Sequence, residues 1–167
     1  MAVSAYSADE LRSHLVMMMS KEKLSGDFLL ASVVQDSLIY NLHHHADSET
    51  LLELAHLAAQ VAVEAAATQM SNNIFAVKES VRGTMHSMVT LGGEPVLVAM
   101  AIATGGLEGI RNSVPAEDAS QYAAALVSGV ATAVQDLGLN DTHIVKAAEH
   151  IADHSGTSST NLGSLAN

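Results

Sequence analysis

A chain of 167 residues with 49% hydrophobic and 15% charged side chains is long enough to bury about 70% of its unfolded surface, and too apolar to be a disordered acidic tail. It has no cysteine, which excludes disulfides, thiolate metal sites, iron–sulfur clusters and a cysteine nucleophile. The formal charge is −11, and Lys and Arg are missing from Leu24 to Val77 and from Asn112 to Val145, so there is no basic footprint for phosphate and nucleic acid is not expected as a partner.

In chain order, Ser7-Ala8-Asp9-Glu10 reads as a capping box, and Leu11, Leu15, Met18 and Met19 follow at the spacing of one helical face. That helix is expected to end near Lys23, before Ser25-Gly26-Asp27. From Phe28 to Leu42 the apolar residues Phe28, Leu29, Leu30, Val33, Val34, Leu38, Ile39 and Leu42 occur nearly all round, the pattern of a buried core helix. Asp47 and Ser48 open a third, Ala-rich stretch of high helix propensity. It predicts one very long helix over about 48–91, whose weakest point is Ser71-Asn72-Asn73, where side chains compete for backbone hydrogen bonds.

Gly92-Gly93 ends that stretch, and Pro95 suits the first turn of the next helix. Gly105-Gly106 is expected to fray or kink it. A further helix should run from about Pro115 to Gly138, and Asn140 or Asp141 should cap a last one that closes at Ser155-Gly156. The expected architecture is therefore all-α: about six helices in an extended hairpin or bundle without a sheet. It forms a single helical domain over 1–154, with a polar C-terminal tail over 155–167. One echo crosses this scheme, because Val81-Arg82-Gly83 and Leu91-Gly92 recur 46 residues on as Val127-Ser128-Gly129 and Leu137-Gly138. A duplicated helical hairpin would produce it, and so would the general liking of helices for Gly at crossings and C-termini.

Nine histidines stand out in a chain with few other cations. His143, His150 and His154 fall on one stripe of the last helix, and three imidazoles there are candidate ligands for a divalent transition metal. The same stripe borders an apolar face, where histidine is an ordinary boundary residue. Glu53 and His56 have the Glu-x-x-His spacing of carboxylate-bridged di-metal bundles, but no second copy of the motif exists in the chain. His43-His44-His45 follows the second helix as a C-terminal cap, and Glu79 and His86 form a polar stripe facing solvent or another subunit. The Met residues, including Met17, Met70, Met85, Met88 and Met100, read as core filler.

No nucleophile elbow, phosphate loop or dinucleotide fingerprint is present, and the reading leans away from an enzyme. The N-terminus lacks a secretory leader, and apolar runs such as Pro95 to Ala103 are shorter than the roughly 20 residues of a membrane helix. No membrane span and a cytoplasmic location are expected. Ala-rich flanks bury little area and call for covering by copies of the same chain. The expectation is a non-catalytic subunit that assembles with itself into a filament, ribbon or sheet and needs no cofactor. It would respond to pH as its formal charge moves from −11 toward −2 when all nine histidines gain a proton. The alternatives are a His-rich metal-binding bundle and a helical adaptor for another protein.

Overall fold

A computed structural model of the protein describes residues 12–18, 20, 30–42, 48–70 and 72–164. Among these there are seven helices and no strand: α1 over 12–18, α2 (Leu30–Leu42), α3 (Ser48–Gln69), α4 (Asn73–Thr90), α5 (Pro95–Ser113), α6 (Ala119–Asp136) and α7 (Thr142–Ser164). The all-α class is as expected. The capping box at Ser7, the loop at Ser25-Gly26-Asp27 and the His43-His44-His45 run lie outside the described residues.

The very long helix over 48–91 is not formed. α3 stops at Gln69 and α4 starts at Asn73. Asn72 caps the new helix, its side-chain oxygen accepting from the Phe75 N–H at 3.4 Å, while the Asn73 amide donates back to the Ala67 carbonyl at 2.7 Å. Two Asn side chains thus take over backbone partners that a continuous helix would have used, the competition that makes Asn a cap residue and a poor interior one. The chain then reverses. A side chain at Gly93, beyond the end of α4, would meet Leu51 at the start of α3, so the two helices run antiparallel instead of forming one rod.

The remaining helices follow a two-row scheme. Each helix packs on the one two places further along, α2 with α4 and α6 in one row, α3 with α5 and α7 in the other. Hairpin partners α3/α4 and α6/α7 tie the rows together. The helices of the second row start at Ser48, Pro95 and Thr142, 47 residues apart each time. The echo at 46 residues has a structural counterpart. After α4 the N–H groups of Leu91, Gly92 and Gly93 donate to Ser87, Val89 and Met88, and after α6 those of Leu137, Gly138 and Leu139 donate to Ala133, Gln135 and Val134. Gly92 (φ 101°) and Gly138 (φ 67°) supply the left-handed residue that both stops need.

Glycine has a different use where neighbours in a row cross. A Cβ on Gly105 would overlap the His56 carbonyl oxygen and lie 2.8 Å from its carbon; one on Gly109 would sit 2.7 Å from the Gln60 oxygen. In the other row a Cβ on Gly129 would meet the Lys78 oxygen at 2.5 Å and Val81 Cβ at 2.9 Å. The expected kink at Gly105-Gly106 is therefore absent: α5 runs unbroken to Ser113, because close backbone packing outweighs a propensity loss of about 1 kcal/mol per glycine. Likewise α7 continues past Ser155-Gly156 to Ser164; one glycine is too weak a break to end an established helix.

The core is mostly aliphatic and small. Leu51, Leu54, Ala55, Ala58, Ala59, Val61, Ala62 and Val63 of α3 are enclosed, as are Met85 and Met88 of α4. Met70 is buried too, whereas Met17 and Met100 are 47% and 41% exposed and are not core filler. By length and composition Leu51–Thr68 in α3 is apolar enough to cross a membrane, but 61% of it is buried by the other helices.

Candidate functional site: polar ties between successive helical pairs

In a chain with so few cations, Arg12, His56, Arg82 and His86 are each paired with a carboxylate. In α4 and α6, Arg82 Nε donates to Asp136 Oδ2 at 2.6 Å, and His86 Nε2 lies 2.9 Å from the same oxygen. Arg82 Nη1 also reaches Glu79 Oε2 at 3.3 Å, one turn back on α4. The hydrogen bond from Arg82 holds the Asp136 carboxyl below its ordinary pKa against the opposing effect of burial, and His86 adds to it. Reciprocally, the bond to Asp136 raises the Arg82 guanidinium.

The other row has its own pair of ties. His56 Nε2 is 2.8 Å from Glu108 Oε2, a step up from α3 to α5. Glu64 binds in both directions: Arg12 of α1 donates to Oε2 at 2.7 Å, and Asn112 of α5 and Gln60 of α3 donate to Oε1 at 3.0 and 3.2 Å. Burial pushes the Glu64 carboxyl up, but the hydrogen bonds from Asn112, Gln60 and Arg12, with the Arg12 charge, overcome it and leave the pKa lowered. The links between different helices span 48 to 54 residues, so each joins neighbouring helices of one row or ties α1 to α3.

The polar candidates from the sequence are distributed differently. Glu53 is exposed, and His56 pairs with Glu108. Glu79 and His86 do not form a solvated stripe: Glu79 is buried on Arg82, and His86 is tied to Asp136. His143 sits in the first turn of α7, its backbone N–H donating to Asp141 Oδ1 at 2.9 Å, so Asp141 is the expected cap. His150 and His154 come together, with ring centroids 4.1 Å apart. Among the described residues no three His, Asp or Glu side chains converge as metal ligands.

Arg12, Glu64, Arg82, Glu108, Asn112 and Asp136 were not singled out by sequence reasoning. The signal that could have found them is the scarcity of cations combined with the helical period. The His86–Asp136 pair has the composition of an imidazole–carboxylate dyad, but Arg82 shares Oδ2 and already neutralises the carboxylate, an arrangement that holds two helices together. Within α4 the Ser80 hydroxyl is fully buried with no hydrogen-bond partner among the described residues. No protein-family model, curated protein or solved structure matches this chain.

Proposed function

We propose that this chain is a non-catalytic structural subunit whose copies associate end to end into a cytoplasmic polymer. One observation carries the reading: α6 leaves partly uncovered, and without charge, the positions that in α4 receive the next helix of the row. α4 receives α6 around Lys78, Val81, Arg82 and His86. At the 46-residue period these positions become Ala124, Val127, Ser128 and Thr132 of α6, where Ala124 is exposed and the other three are half-buried. Small side chains at these positions allow another helix to approach closely. Repeat stacks need a polar terminal face to stay single, and α6 lacks any charge there. A second copy adding its own even-row helix would make a head-to-tail contact, which propagates as a filament when the rotation does not close a ring. Leu97 and Met100, 47% and 41% exposed one turn apart on α5, add apolar surface for the same purpose.

The polar groups support a structural role, since the ties described above spend their hydrogen bonds on one another. A pH response of the polymer would arise at α7, where His143, His150 and His154 are exposed. Sedimentation and electron microscopy test the proposal directly. The parent protein is expected to form polymers at micromolar concentration, while Ala124→Glu remains a folded monomer by circular dichroism. A parent that sediments as a monomer under these conditions would refute the reading. Particle size between pH 8 and 5 should change in the parent and not in a variant with Gln at His143, His150 and His154.

A further inference from the structure

α7 carries two histidines that are distinct from the ties described above. His150 and His154 stand on successive turns, exposed, their ring centroids 4.1 Å apart and their planes inclined by 45°. Nδ1 of His154 lies 3.1 Å from the His150 carbonyl oxygen. A carbonyl can only accept, so this nitrogen carries the proton, and in the neutral ring the lone pair resides on Nε2. A backbone hydrogen bond of this kind is how proteins orient a metal-ligating imidazole and fix its tautomer.

Side chains four residues apart on a helix are about 6 Å apart at Cβ, directly above one another. Two imidazoles so placed can share an ion with metal–nitrogen distances of about 2.0–2.1 Å. From bonds of that length, tetrahedral angles put the ring centroids about 5 Å apart, so the rings need to open by about 1 Å, a small rotation for exposed side chains. His143 is excluded from the same ion, being about 10 Å back along the axis at 1.5 Å per residue. The three-histidine set expected from the sequence stripe is therefore reduced to two. The chain's charge of −11 raises the local concentration of cations, while Lys146, one turn before His150, works against it.

We propose that His150 and His154 form a two-imidazole chelate on α7 for a borderline divalent transition ion such as Zn²⁺, Ni²⁺ or Cu²⁺, with water completing the coordination sphere. Imidazole ligands favour ions of this class over Mg²⁺ and Ca²⁺, which take oxygen ligands. The chelate does not depend on polymerisation.

Isothermal titration of the full, tag-free chain with ZnCl₂ or NiCl₂ tests it, with amide hydrogen exchange as a second readout. One ion per chain is expected, with slower exchange across α7 in the loaded protein and no uptake of Mg²⁺. His150→Gln and His154→Gln should each abolish saturable uptake, whereas His143→Gln and a variant with Gln at His43, His44 and His45 should keep it. The altered residues are exposed or lie outside the tested helix, and circular dichroism confirms folding of each variant. Saturable uptake that survives the loss of both His150 and His154 would overturn the proposal, as would a parent protein that takes up no ion or shows no change of exchange in α7.

Discussion

α3 and α7 stand in the same row and are nearly equal in length, at 22 and 23 residues, yet their surfaces differ throughout. α3 touches α4 and α5 and is tied by Glu64 to α1; its buried residues, from Leu51 to Ala67, lie on several sides. α7 touches α5 and α6, and among its described side chains only Ile144 and Ala148 are fully buried, with Val145 and Ile151 partly so. The outward side of α7 is His143, Lys146, Glu149 and His150. What each helix meets explains the contrast: α3 is enclosed by α4 and α5 and tied to α1, and is apolar on each of those sides, whereas α7 meets α5 and α6 along one stripe.

The largest effects should sharpen that contrast. Leu54, 1% exposed in α3, should lose about 4 kcal/mol of global stability on change to Ala, against about 2 kcal/mol for Ile144→Ala in α7. Urea titration gives both values, and hydrogen exchange should show the second change opening α7 alone. Equal losses with equal loss of protection everywhere would break the distinction between the enclosed α3 and the one-sided α7. Gly105→Ala comes next. Its Cβ would run into the His56 backbone, which cannot move aside, and the expected cost is about 3 kcal/mol. At Gly106 the new Cβ meets side chains and no backbone, Leu126 foremost and Val63 Cγ2 at 3.7 Å, so that change should cost about 1 kcal/mol. Reversal of this order in thermal unfolding would disprove backbone contact as the reason for Gly105.

The carboxylate ties should show a smaller, pH-dependent effect. Glu64 and Asp136 both have lowered folded pKa values. Their stabilisation is fully present above the ordinary carboxylate pKa, about 4, and is lost as pH falls through the folded value. Glu64→Gln and Asp136→Asn should each cost about 1 kcal/mol at pH 7, with stabilities converging on that of the parent near pH 3. A constant difference across that range would mean that charge is not involved. A change of similar size has the opposite sign: Ser80→Ala removes a buried hydroxyl that has no partner among the described residues and should stabilise the protein by about 1 kcal/mol, seen as a higher midpoint of thermal unfolding.

Much of the fold was legible because its signals are local. The stops at Gly92 and Gly138, Pro95 in a first turn, Asp141 as a cap and the apolar character of α2 and α3 are all decided within a few residues. The break at Met70–Asn72 was read only as the weak point of one helix, since Ala-rich flanks favour continuation and the reversal is driven by packing of α3 on α4. Gly105 looked like a kink for a similar reason: propensity is visible in sequence, and a neighbouring backbone is not. The ties through Glu64 and Asp136 were illegible because their partners come from other helices. The Glu-x-x-His spacing of Glu53 and His56 suggested two ligands of one metal site, whereas the partner that His56 meets is Glu108 from another helix. In α7, periodicity placed three histidines on one stripe but gave no account of distance along the axis.

The spacing of the ties also sets a timetable for synthesis. Each joins residues 48 to 54 apart, so a helix leaving the ribosome waits for about fifty more residues before its partner in the row exists. At roughly 5–20 residues per second that delay lasts about 3–10 s. During it the nascent chain can complete the α3–α4 hairpin, since those helices adjoin in sequence, but α3 still lacks α5 and α4 still lacks α6. The apolar side of α3 that α5 will cover is therefore open to chaperones, or to another nascent copy, for seconds in every round of translation.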